Sequence, residues 1–280
     1  MKTEERAIAI PGPQGHMLGI VSLPAAGMPA RRTAVVIVVG GVQYRVGSHR
    51  QFVLLARHVA AAGYPVMRFD LPGKGDSPGA FTPFEYITPH IAAALAALQA
   101  EYPDITREVL WGLCDGASAS LLYVQATADP RVAGLALLNP WVRSEASLAK
   151  ARVKHYYRQR LLEPAFWRKL LAGGVGREAL QGLQTNLQNM LRPAPAAKGF
   201  QDRMAEGWRR FPGPILLLLS ERDLTAQEFI EYADSQTAWT GWRQKTGLEQ
   251  LQVAGADHTC SSASAHETLK DRSLHWLVGL

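Results

Sequence analysis

The chain has 280 residues, 47% apolar and 19% charged, with a formal net charge of +6, a length that suits one compact α/β domain carrying an insertion. Two cysteines exclude a disulfide framework and fit a reducing compartment, so a cytoplasmic location is expected. The opening "MKTEERAIAI" carries acidic residues and no apolar stretch of leader length, and "AVVIVVGGV" and "PILLLL" are far too short to span a bilayer, so neither a leader nor a transmembrane segment is expected.

In chain order, "RAIAI" and "HMLGIVSLP" flank the turn-rich "PGPQG" and predict an N-terminal β-hairpin. "TAVVIVVGG" is a continuous β-branched run of the kind buried on both faces of a parallel sheet. "RQFVLLARHVAAAG" has helical periodicity, and "YPVMRFD" is the next strand. The alternation continues with a helix in "FEYITPHIAAALAALQAEY", a strand in "EVLWGL", a helix in "DGASASLLYVQATA" and a strand in "VAGLALLNP". After an interruption it resumes with strand "PILLLLSERD", helix "TAQEFIEYADSQTAW", strand "LEQLQVAG" and a closing helix "HETLKDRSLHWLVGL". Such alternation with short links predicts an α/β fold, a doubly wound and mostly parallel sheet with helices on both faces. One domain is expected over 1–280. Within it, 143–212 reads as a helical cap insertion, amphipathic in "LAKARVKHYYRQRLLEPAFWRKLLAGG" and linker-like in "RPAPAAKG".

The chemistry concentrates in "WGLCDGAS", residues 111–118. Here a strand runs into Gly112, Cys114 and Gly116 and then into a helix, the context in which a nucleophile is pushed out of a sharp turn. A small buried cysteine is the plainer reading. A helix N-terminus favours the thiolate, whereas the charge of Asp115 opposes it unless Asp115 caps the helix. A thiol nucleophile needs a base and an orienter. Asp223 follows one later strand and His258, in "GADHT", follows the next, so Cys, Asp and His occur in order at the carboxyl ends of strands, where ligands meet such sheets. Asp223 also suits the cap of the helix starting near Thr225, and Glu221 and Asp257 are weaker substitutes for it as the orienter. For the oxyanion hole the expected donors are the backbone N–H of Asp115 and a second from Val42 or Gly41, with Val42 preferred.

The segments "GLCDGAS", "SERD" and "GADHT" resemble an α/β-hydrolase triad, and with "VVIVVGGVQYRVGSHRQFVLLARHVAAAGYPVMRFDLPGKGDS" the chain resembles, more narrowly, subfamily 1 of the bacterial exosortase A system-associated hydrolases. "GGVQYRVGSHRQF" is the most specific part, and the likeness covers nearly everything except the cap. It implies the α/β-hydrolase fold, an acyl-handling activity and a link to exopolysaccharide and protein-sorting loci. "DLPGKGDS" departs from the more usual aromatic-Arg-Gly wording of its loop.

The expected activity is cleavage of an ester or thioester through an acyl-cysteine. The alternatives are an acyltransferase using the same triad and a non-catalytic binding or accessory protein. No cofactor is called for, and the eight histidines show no H-x-x-x-H spacing, so no metal is expected. The expected partner is a small acyl ester or thioester. The excess of 14 Lys or Arg over 5 Asp or Glu between Arg143 and Arg210 suits an anionic or carrier-linked substrate, or a solvated helical face, rather than nucleic acid. "PGKGDS" fails as a phosphate loop because neither the upstream Gly nor the Ser or Thr after the Lys is present. Asp70 reads as a loop organiser, Cys260 as a packing residue, and Ser48 as a cap for the helix after His49 and Arg50.

Overall fold

The computed structural model describes residues 3–41, 43–143 and 199–280. Of the insertion expected at 143–212, residues 144–198 lie outside the described residues. The account below concerns the compact unit formed by Met1–Val142 and Phe200–Leu280.

A hairpin comes first. β1 (Glu4–Gly12) and β2 (Gly15–Leu23) pair antiparallel, with Ile10 opposite Met17, and the turn is made at Gly15, whose φ of 113° only glycine adopts without strain. β3 (Thr33–Val38), β4 (Val66–Phe69), β5 (Arg107–Leu113), β6 (Val132–Leu138), β7 (Ile215–Ser220) and β8 (Leu248–Val253) follow. The eight strands form one sheet in the order β1-β2-β4-β3-β5-β6-β7-β8. β2 joins β4 antiparallel, and every pairing from β4 to β8 is parallel. The mostly parallel, doubly wound sheet expected from the alternating pattern is therefore the one observed.

Strand parity divides the core. Val36, Val38, Leu110, Leu135, Leu137, Ile215 and Leu217 point to one face, where α2 (Thr88–Glu101), α3 (Asp115–Thr127), α4 (Phe200–Arg210) and α5 (Leu224–Ser235) pack. Val35, Ile37, Val109, Trp111, Ala136, Leu138, Leu216 and Leu218 point to the other, under α1 (Gln51–Ala61) and α6 (Ala263–Val278). Covering both faces is what makes these strands read as unbroken apolar runs.

Several boundaries differ from the sequence expectation for local reasons. α6 starts at Ala263 rather than His266 because the Ser262 side chain accepts the Ala265 N–H and caps it. α5 stops at Ser235, and the chain through Trp239 forms a separate short turn that drives Trp239 into a cluster with Trp208, Phe229 and Trp242. α4 lies within the stretch assigned to the insertion, yet it packs on α3. A Cβ at Gly207 would sit 2.3 Å from the Leu121 carbonyl oxygen, so the helices approach through that glycine.

Candidate active site

The turn after β5 is tight enough to dictate its sequence. Cys114 adopts φ 59° and ψ −123°, a conformation that is strained for a residue with a side chain and that recurs at functional turns. A Cβ at Gly112 would fall 2.5 Å from the Gly116 carbonyl carbon, and one at Gly116 would fall 2.3 Å from the Val38 carbonyl oxygen. Both glycines are there because backbone crosses backbone. The Cys114 N–H donates to the Leu138 carbonyl at 2.9 Å, and the Cys114 carbonyl accepts from Ala117, Ser118 and Trp141. The backbone thus holds the sulfur-bearing residue rigidly at the start of α3.

Asp223 and His258 are brought together on the loops after β7 and β8. His258 Nδ1 lies 2.8 Å from Asp223 Oδ2, with Asp223 buried and His258 partly open. The same carboxylate caps α5, accepting from the Thr225 N–H at 3.1 Å and the Ala226 N–H at 3.3 Å. The Asp223 carboxylate therefore makes both the His258 contact and the helix cap, weighed as alternatives from sequence. Burial works against its charge, but His258 and the two amides outweigh that and hold the carboxyl below its ordinary value. Glu221 and Asp257, the substitutes, are engaged elsewhere. Glu221 accepts the Gly255 N–H, and Asp257 accepts from Thr259 and Ser261, bracing the loop on either side of His258.

Asn139, at the end of β6, was not singled out from sequence. It is fully buried and has φ 48°. Its amide Nδ2 donates to Ser220 Oγ at 2.9 Å and to the His258 carbonyl at 3.1 Å, while its Oδ1 accepts the Ser220 N–H at 2.8 Å. Since the Cys114 N–H is bound to the neighbouring Leu138 carbonyl, the ends of β5, β6, β7 and β8 are tied through one short stretch of β6. The only local signal is a buried-strand Asn before Pro140, which is weak because its partners lie 81 and 119 residues away.

The oxyanion-hole candidates fare differently. Val42 lies outside the described residues. Gly41, with φ 57°, donates its N–H to Asp115 Oδ2 at 2.6 Å, so this amide already has a partner inside the protein. The Asp115 N–H is the first amide of α3, directly after Cys114.

Around the site, Asp70 is fully buried and accepts the Arg45 and Asp76 N–H groups as well as the Arg45 guanidinium, which makes it the loop organiser expected. Ser48 does not cap α1, which begins without any side-chain cap. Its hydroxyl accepts from Gln43, because His49 and Arg50 both take left-handed φ values and turn the chain away from cap geometry. His49 instead reaches Thr259, with Nε2 3.1 Å from its carbonyl oxygen, and so braces the His258 loop. Cys260 is buried 3.8 Å from Ser220 Oγ, and burial pushes its thiol up to about 11. His58, Glu267 and Asp271 form a group on α1 and α6 with ligand atoms within 4.8 Å of one another, but Lys270 pairs with Glu267 and the carboxylates are exposed. No helix among the described residues is long and apolar enough to cross a membrane.

The fold recurs in known structures. An α/β serine hydrolase without lid from Xanthomonas campestris is 15% identical, covering 99% of this chain and 95% of that one with a TM-score of 0.61. An esterase from Pyrococcus furiosus is 16% identical over 99% and 92%, with a TM-score of 0.64. A dienelactone hydrolase from Anabaena variabilis is 12% identical over 100% and 99%, with a TM-score of 0.62. At these identities the likeness is one of fold, and no curated protein matches the sequence. A family profile described as "Alpha/beta hydrolase family" matches residues 35–271, from the middle of β3 into α6, and the chain therefore belongs to the alpha/beta hydrolase family.

Proposed function

We propose that the protein cleaves an ester or thioester through an acyl-cysteine intermediate. The observation that carries this reading is the 2.8 Å contact between His258 Nδ1 and Asp223, on loops after adjacent strands of the sheet whose β5 ends in the Cys114 turn. With Nδ1–H given to Asp223, Nε2 is the basic nitrogen. His258 removes the Cys114 thiol proton and the sulfur bonds to the carbonyl carbon. The π pair moves to the oxygen, facing the Asp115 amide, with Val42 as the second backbone donor, since the Gly41 amide is given to Asp115. Collapse restores the carbonyl and expels the leaving group, which takes the proton from His258, and water then releases the acyl group by the same steps.

The narrower identity, an exosortase-associated hydrolase of exopolysaccharide or protein-sorting loci, rests on the resemblance carried by "GGVQYRVGSHRQF". The cytoplasmic location is supported by a chain with only two cysteines, too few for a disulfide framework.

Short p-nitrophenyl and thioester acyl substrates test the reading, with product release and intact mass followed at early times. The wild type is expected to carry one acyl adduct that Cys114→Ala lacks. Release unaffected by Cys114→Ala, or an absence of both release and adduct, overturns it.

A further inference from the structure

The loop after β4 holds an ammonium for which the fold supplies no counter-ion. Asp70 opens that loop. Its carboxylate accepts the Asp76 N–H at 3.0 Å, and its carbonyl accepts from Ser77 Oγ at 2.8 Å. Between these anchors the Lys74 N–H donates to the Leu71 carbonyl and the Lys74 carbonyl accepts from the Ser77 N–H, so Lys74 stands in a turn closed on both sides. Gly73 and Gly75, its neighbours, have φ of 73° and 52°, and a Cβ at Gly75 would run into the Asp70 carboxylate. The backbone that carries the Lys74 side chain is therefore fixed.

The acids of the loop are already committed, because Arg45 pairs with both Asp70 and Asp76. The Lys74 side chain has no ion pair or hydrogen bond among the described residues, and its Nζ rests 5.2 Å from the centre of the Phe81 ring. The residue is half-buried, and Nζ itself is not shut off from water. Burial pushes the ammonium below its ordinary value, opposed by the pull of the Asp115 carboxyl across space. Asp115 directly follows Cys114, and its Oδ2 already accepts the Gly41 N–H. Lys74 and Cys114 share one edge of the sheet, on the loops after β4 and β5. Only β3 lies between those strands, which sets them about 10 Å apart.

We infer that Lys74 is a specificity-determining residue whose ammonium binds an anionic group of the substrate, set apart from the carbonyl that Cys114 attacks. This inference rests on the acyl-cysteine reading and adds the substrate class to it. An ammonium carries three donors, and a partly desolvated one without acceptors gains most from an anion. Two strand spacings leave room for a short chain between the reacting carbonyl and that anion. An uncharged substrate leaves Lys74 unpaired and an anionic one pairs it, and this difference is what selects. The contact forms on binding, and no bond is made or broken at Lys74. An anion on the acyl chain and one on the leaving group offer the same chemistry, and matched substrates separate the two.

The test uses pairs of substrates that differ in charge. On the acyl side, the mono-p-nitrophenyl ester of adipic acid is set against p-nitrophenyl hexanoate. On the leaving-group side, acetyl-coenzyme A is set against S-acetyl-N-acetylcysteamine. The ratio of kcat/KM within each pair is measured for the wild type, Lys74→Met and Lys74→Arg, with the Cys114 adduct followed by intact mass. The wild type is expected to favour the charged member of at least one pair by about tenfold, and the pair that shows it identifies the side that carries the anion. Lys74→Met keeps the length of the side chain without its charge and is expected to abolish the preference, chiefly through KM, whereas Lys74→Arg keeps most of it. A wild type with no preference in either pair overturns the proposal, and so does a preference that survives in Lys74→Met. Absence of a Cys114 adduct from every substrate in the wild type instead sinks the acyl-cysteine reading and takes this inference with it. Because misfolding lowers both members of a pair alike, the ratio, checked by circular dichroism, separates lost selectivity from a damaged fold.

Discussion

One Asp223 carboxylate both contacts His258 and caps α5, and the consequences of the two contacts are separable. Asn caps helices about as well as Asp, so Asp223→Asn is expected to change the unfolding free energy by well under 1 kcal/mol. On the proposed acyl-cysteine route the same change presents an amide to His258 Nδ1 and disturbs the tautomer that leaves Nε2 basic, so kcat is expected to fall by about 10⁴-fold. Denaturant unfolding and initial rates on one preparation check both halves. Linkage sets the acid side. Because the folded-state value is depressed, the contribution of Asp223 to stability is complete above its ordinary value near 3.8 and is lost as pH falls through the folded one. At this scale the sequence was readable where chemistry is local. The need for Gly112 follows from backbone crossing backbone within five residues, at Gly116. It was unreadable where a side chain chooses among distant partners, as Asn139 does with Ser220 and the His258 loop, and as Asp115 does in taking the Gly41 amide.

β5 shows what an element can carry besides the site. Its first buried residue, Glu108, is completely enclosed, neither carboxylate oxygen has a hydrogen-bond partner among the described residues, and burial lifts the group to about 7. The folded value exceeds the unfolded one, so the favourable contribution is full below about pH 4.5 and is lost as pH rises through about 7. Stability of the wild type is expected to decline between pH 5 and 8 by up to roughly 3 kcal/mol from this group, and Glu108→Gln to flatten the decline. Thermal unfolding at a series of pH values measures it, and a parallel decline in both proteins refutes the assignment. Periodicity predicted β5 and its neighbours well because strands buried on both faces admit few polar residues. It misplaced α4 for a related reason. An amphipathic helix reads the same whether its apolar face meets an insertion or α3, and Gly207 against the Leu121 carbonyl decides that only in three dimensions.

For the molecule as a whole, parallel strands in one sheet place Cys114, Asp223 and His258 at the same edge although 144 residues separate the first from the last. The opposite edge, where β5, β7 and β8 begin, holds none of them. An attachment at exposed Thr246, two residues before β8, is therefore expected to leave kcat and KM within about twofold of their original values. Steady-state kinetics before and after coupling at a Thr246→Cys position would show it, with loss of rate counting against the assigned polarity.

The short stretch of β6 that binds Cys114 through Leu138 and the His258 loop through Asn139 has a mechanical corollary. A pull or a thermal fluctuation that peels β6 from either neighbour parts the Cys114 turn from the His258 loop at the same moment. Loss of activity on heating should consequently arrive together with the opening of β6, as one event, and the amides of Cys114 and Ser220 should exchange hydrogen only when that event occurs.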